Sequence, residues 1–284
     1  MALVKVLALI MIVSTMIGAG LQVDRQRLVD TLRQYGLLGR AFLANFVLVP
    51  LLAILLVQFF HVERGVAIGI VLMSMAPGVP FLVNSAGRAG GGSLSFAITI
   101  AFCFTAISVI TIPLTIALIA FINPSAPVPP VPALKFLTTL VVFQLVPLVL
   151  GALIAPRLAP AMAAKVVKAL HVLFLLAGVV LVVLVFKTIV GSVSSVYGNG
   201  HLYIIAAIGV FSILLGWFFG GPNDQYRRTL AIATLMRNIG LCLLIGTQTI
   251  FEGTLVLPTI FAYFVVTFIL SLPIRAYFTR TKPA

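Results

Sequence analysis

Residues 229–250 read Thr-Leu-Ala-Ile-Ala-Thr-Leu-Met-Arg-Asn-Ile-Gly-Leu-Cys-Leu-Leu-Ile-Gly-Thr-Gln-Thr-Ile, an apolar run with Met236-Arg237-Asn238-Ile239-Gly240 at its centre. The run is long enough to cross a bilayer. A guanidinium at that depth is costly, marks a functional site by default and needs a partner. The chain has only five acidic residues, Asp24, Asp30, Glu63, Asp224 and Glu252, and all lie between hydrophobic segments. No span therefore offers Arg237 a carboxylate. Backbone carbonyls and a bound substrate are the remaining partners.

The surroundings of this run are equally apolar. The 284 residues are 62% hydrophobic and 8% charged, against about 25% charged in soluble domains. This is an integral membrane protein. Each span needs about 20 residues to cross a hydrocarbon core of about 30 Å. Nine segments qualify, at about 3–20, 41–60, 66–87, 93–122, 134–155, 166–190, 201–220, 229–250 and 254–278. They use up the chain as one polytopic domain, 1–284, with no room for a soluble one. Lys5 followed by an apolar run vaguely resembles a signal peptide, but the run ends in Gly18-Ala19-Gly20 without a clean cleavage pattern, so it is read as the first span. Segment 24–40 mixes charges with Leu28, Leu32, Leu37 and Leu38. It reads either as a short helix on the membrane face or as a solvated loop.

The net charge of +13 points to orientation, not to nucleic acid. Of the 18 Lys and Arg residues, 13 fall on one side of the nine-span arrangement, 4 (Lys5, Arg64, Lys135, Lys187) on the other, and Arg237 between them. The richer side is cytoplasmic. The N-terminus then faces outward and the C-terminus inward. Cys103 and Cys242 lie inside spans and read as small buried apolar residues. The three histidines are scattered, so no metal site is expected.

Two spans are interrupted. Span three holds Ala76-Pro77-Gly78-Val79-Pro80 and then Asn84-Ser85; span eight holds Arg237-Asn238 and Gly240. Pro77, Gly78 and Pro80 cannot share one regular turn without freeing backbone groups, and in a membrane such groups line a cavity or are buried in protein. Each interruption is the middle member of a triplet, spans two to four and seven to nine. The Pro-rich connector 124–132 separates a first repeat, about 1–123, from a second, about 134–279. The odd displacement between the triplets inverts one copy. Inverted repeats with matching broken helices indicate a midplane site in a secondary transporter.

With these residues in view, the chain resembles the bile acid:sodium symporter superfamily over nearly its whole length. The resemblance rests on Met16-Ile17-Gly18-Ala19-Gly20-Leu21, Asn45-Phe46-Val47-Leu48-Val49-Pro50, Ala76-Pro77-Gly78, Leu94-Ser95-Phe96-Ala97-Ile98-Thr99 with Ile112-Pro113, and Arg228-Thr229-Leu230-Ala231-Ile232 with Met236-Arg237-Asn238-Ile239-Gly240-Leu241. It implies an all-α membrane fold of about nine transmembrane helices, with a panel domain and a core domain holding two crossing broken helices. It also implies location in a plasma (bacterial inner) membrane. Sodium-carrying members have Glu, then Gln-Asn, in the second broken helix. Here Ala233 and Arg237 stand at the first two positions, and only Asn238 matches. A Ser-Asn pair expected in the first broken helix is replaced by Leu82-Val83, with Asn84-Ser85 nearby in reversed order. Ser95 and Thr99 match sodium-ligand positions and form a residual ion site at most. A sodium site wants hard oxygen ligands, usually with one charge. Two unit charges about 6 Å apart at an effective dielectric of about 20 repel by roughly 3 kcal/mol, so the guanidinium argues against sodium coupling. No other cofactor is implied.

The resulting expectation is a secondary transporter of a small organic anion, working by alternating access. Arg237 is the fixed counter-charge for a carboxylate or sulfonate, Asn238, Asn84 and Ser85 add polar contacts, and Thr234 lines the cavity. The alternative for Arg237 is that it caps carbonyls of its own broken helix. Proton coupling finds no titrating relay, with His171 near a span end as the sole candidate. An intramembrane enzyme lacks Asp and Glu in every span. A membrane sensor or scaffold that kept the fold and lost transport, and an exporter of another small solute, stay open. The oligomeric state, the direction of transport and the substrate are not encoded in any motif.

Overall fold

The computed structural model describes residues 2–78, 91–122, 133–191, 200–247 and 254–281. Among them every regular element is a helix. Helix α1 is Ala2–Leu21, α2 is Arg25–Leu32 and α3 is Tyr35–Phe42. Then follow α4 (Val49–Phe59), α5 (Arg64–Met75), α6 (Leu94–Ile122), α7 (Ala133–Leu140) and α8 (Val146–Ile154). The rest are α9 (Pro160–Gly191), α10 (His201–Phe219), α11 (Asp224–Leu235), α12 (Ile239–Gly246) and α13 (Val256–Arg280).

Among the described residues, seven helical stretches are long and apolar enough to cross a membrane: Leu3–Leu21, Tyr35–Phe59, Leu94–Phe121, Leu134–Arg157, Pro160–Leu184, His201–Phe219 and Val256–Arg280. They coincide with seven of the nine expected spans. The other two expected spans, three and eight, hold shorter pieces. Helix α5 has 12 residues, or about 18 Å at 1.5 Å per residue. That is too short for a hydrocarbon core of about 30 Å. Helices α11 and α12 divide the second interrupted span.

Two of the long rods change pitch midway. Residues Leu43–Leu48 and Val141–Leu145 are π-helical, and each segment leads into a Val-Pro pair, Val49-Pro50 and Val146-Pro147. A proline inside a helix has no N–H, and its ring clashes with the carbonyl four residues back. The wider turn relieves the clash: Val49 N–H reaches back to the Ala44 carbonyl and Val146 N–H to that of Val141. The flanking sequence repeats as Phe46-Val47-Leu48-Val49-Pro50-Leu51 and Phe143-Gln144-Leu145-Val146-Pro147-Leu148.

Segment 24–40 holds two short helices, α2 and most of α3, separated by a break at Arg33 and Gln34. Asp24 caps α2 by accepting from the N–H groups of Gln26 and Arg27, as an Asx N-cap does. α3 then runs straight into the second long rod.

Packing relies on small residues, as expected where lipid supplies no hydrophobic drive between helices. α1 lies on α8 and α9. A Cβ on Gly20 would collide with the Leu148 carbonyl, and one on Gly151 with that of Ile17. α10 closes on α11 where Gly216 meets Ala231, and α5 closes on α13 where Gly69 meets Thr259. Ile12, Met16, Ile70, Leu72, Leu243 and Ile260 belong to the main buried cluster. On the outside, α9 exposes Leu176, Val179 and Val183, which suits a lipid-facing surface.

Candidate functional site

The two interruptions meet each other. α5 ends at Met75 because Pro77 brings no N–H to the next turn, and the residue before a proline is driven out of the helical region. Ala76 accordingly sits at φ −104°, ψ 78°. α11 ends at Leu235, and Met236 is extended at φ −77°, ψ 127°. The freed backbones pair as a short antiparallel bridge centred on Pro77 and Arg237. Gly78 N–H donates to the Met236 carbonyl at 3.1 Å, and Asn238 N–H donates to the Ala76 carbonyl at 2.9 Å. Two peptide groups that helix breaking exposes at mid-span are thus satisfied by each other, as a low-dielectric interior requires.

Asn238 restarts the helix. Its Oδ1 accepts from Leu241 N–H at 3.1 Å, so it N-caps α12. Gly240, in the first turn, faces the backbone of α1: Ile12 Cα and N lie 3.4 Å from where its Cβ would be, an ordinary contact distance. Gly78 has φ +79° with open space around its Cβ position. It is glycine for its conformation, not for room.

Arg237 projects from this crossing and is 1% exposed. None of its three guanidinium nitrogens makes a hydrogen bond among the described residues. It therefore caps no described carbonyl. The hydroxyl of Tyr263, on α13, lies close enough to the guanidinium to interact electrostatically, though without a hydrogen bond of ordinary geometry, and the Cys242 thiol is also near. That thiol is directed to the Leu72 carbonyl at 3.7 Å.

The other expected residues divide. Thr234, one turn before Arg237, accepts from Asn45 Nδ2 at 3.1 Å. Asn45 is fully buried in the first π-helical segment, and its Oδ1 has no partner among the described residues. Thr99 is buried in the first turns of α6. Ser95 is committed elsewhere: its hydroxyl accepts from the Arg27 guanidinium at 2.8 Å, at an exposed end of the helix. Pro77, Gly78, Asn238, Gly240 and Arg237 are brought together. Asn84, Ser85 and Pro80 lie outside the described residues.

Sequence reading assigned no role to three buried polar groups found among the described residues. Tyr263 and Asn45 are isolated polar residues within apolar runs. Gln144, fully buried, donates to the Thr105 carbonyl and the Ser108 hydroxyl, both at 2.6 Å. The repeated Phe-x-Leu-Val-Pro-Leu pattern was the available signal for Asn45 and Gln144, because the proline forces a wide turn beside each of them.

Seven long apolar helices make this an integral, multi-pass membrane protein of the all-α class. The model of the sodium bile acid symporter family matches residues 9–195, well over half of the chain. The chain belongs to that family, a family of transporters. The match covers the first break and stops short of the second. No curated protein matches the chain.

Proposed function

We propose that the protein is a secondary transporter of a small organic anion, with Arg237 as the fixed counter-charge. One observation carries this reading: a buried guanidinium at the crossing of two broken helices whose three nitrogens make no hydrogen bond of ordinary geometry among the described residues, with the Tyr263 hydroxyl nearby. A buried cation left unpaired is strongly unfavourable. An oxyanion offers bidentate hydrogen bonds and the opposite charge. Broken-helix ends at a midplane are where secondary transporters place substrates.

In this reading the nine crossings form inverted repeats. α1, α8 and α9 belong to the panel, and the elements around the crossing form the core. α1 covers the crossing through Ile12 and Gly240, so its movement relative to α12 gives access. Transport runs without sodium. Ala233, buried and uncharged, stands where a carboxylate is expected, and Arg27 holds the hydroxyl of Ser95 with a cation already.

The experiment is a thermal-stabilisation screen of the purified protein against organic anions, with and without sodium. Stabilisation by one or more anions, equal in sodium and choline buffers and absent in Arg237→Ala, is the expected result. Stabilisation that requires sodium overturns the uncoupled reading. Stabilisation that persists in Arg237→Ala overturns the counter-charge.

A further inference from the structure

Tyr263 lies within α13, on a helix separate from both breaks, with its side chain 0% exposed. Its hydroxyl makes no hydrogen bond of ordinary geometry among the described residues, yet it lies within hydrogen-bonding reach of the Arg237 guanidinium. Packing alone does not account for it. A phenylalanine fills the same space without stranding a polar atom, and a buried phenol ordinarily finds a partner. Tyr263 and Arg237 are thus two adjacent, enclosed side chains with unmet hydrogen-bonding capacity, held on different elements that converge on one point.

Their chemistry is one-sided. The guanidinium carries five N–H donors and no acceptor, and the phenol adds an O–H donor. The neighbouring thiol is turned to the Leu72 carbonyl. A site dominated by donors takes an acceptor-rich, negatively charged group and rejects an amine or a metal ion. We propose that Tyr263 is a second anion-binding residue, donating its O–H to an oxygen of the same oxyanion that Arg237 holds. This rests on the counter-charge reading of Arg237 given above. The ligand class that fits is a carboxylate or sulfonate, because its oxygens can accept from the guanidinium fork and from the phenol at once. If the hydroxyl served only as an acceptor for Arg237, it would be a structural partner of the cation and would leave anion affinity unmoved.

The test uses the full-length purified chain, with cholate, benzoate and methanesulfonate as probes and the melting midpoint as readout. Tyr263→Phe is expected to weaken the tightest-binding probe about tenfold or more, as loss of a hydrogen bond to a charged group does, while the unliganded midpoint stays close to wild type. Replacement of Tyr263 by 3-fluorotyrosine keeps the ring and makes the hydroxyl a stronger donor, so binding is expected to tighten. That variant decides the matter should Tyr263→Phe fail to fold. Wild-type affinity in Tyr263→Phe, or weaker binding in the fluorotyrosine protein, overturns the role of Tyr263. In that event a loss of binding in Arg237→Ala leaves the counter-charge standing. Wild-type affinity in Arg237→Ala, or no stabilisation of the wild type by any of the three probes, overturns both.

Discussion

Arg228, on α11, and Arg237, in the break that follows α11, lie nine positions apart, and both are buried. Arg228 is tied down at both terminal nitrogens: it donates to the carbonyls of Phe278 and Thr281, each at 2.7 Å, and lies over the Phe278 ring, with only its Nε unpartnered among the described residues. Those carbonyls close the end of α13, where a helix leaves acceptors unpaired and favours a cation. Arg237 meets no such set among the described residues. Identical chemistry thus meets two settings: a helix end rich in carbonyls for Arg228, and for Arg237 a helix break that offers no such carbonyls among the described residues. Sequence alone marked Arg237 by its apolar flanks, whereas Arg228 looked like one more loop-end charge, because the end of α13 is about fifty residues away in the chain. Gly78 belongs to the same scale. Its positive φ makes an L-residue strained whatever the room around it. Gly78→Ala is expected to lower stability by about 1 kcal/mol, or roughly 2–4 °C in the melting midpoint. An unchanged midpoint contradicts the strained turn.

The breaks themselves were readable as elements. Pro77 cannot continue a helix, and Asn238 is a good N-cap, so both interruptions follow from local chemistry. Their pairing was not readable. The bridge from Gly78 to Met236 and from Asn238 to Ala76 joins groups about 160 residues apart, and it uses backbone atoms that every residue has. The same limit hid Tyr263, which matters only through the neighbour that another helix brings to it. Helix contacts set by glycine are also element-scale features, and they are testable. Gly151→Leu drives a side chain into the backbone of α1 at Ile17, which cannot yield. It is expected to destabilise by about 1–3 kcal/mol or more. Gly39→Ala, in α3 with nothing within 4 Å, is the control and is expected to be neutral or slightly stabilising. Equal midpoints for the two variants contradict close packing of α1 on α8.

At the scale of the whole molecule, the composition already dictated a membrane protein, and the seven long helices agree with that. The charge asymmetry predicts a cytoplasmic C-terminus. A fluorescent protein that matures only in the cytoplasm, fused after Ala284, is expected to glow, and a periplasm-active enzyme fused there is expected to be silent. The reverse pattern contradicts the orientation. Uptake into vesicles bears most directly on the proposal that Arg237 is the fixed counter-charge of a sodium-independent transporter. With an anion identified by the stabilisation screen, wild-type vesicles are expected to take it up equally in sodium and in choline, and Arg237→Ala vesicles with normal protein levels are expected to lose that uptake. Uptake that depends on sodium, or that survives unchanged in Arg237→Ala, contradicts it.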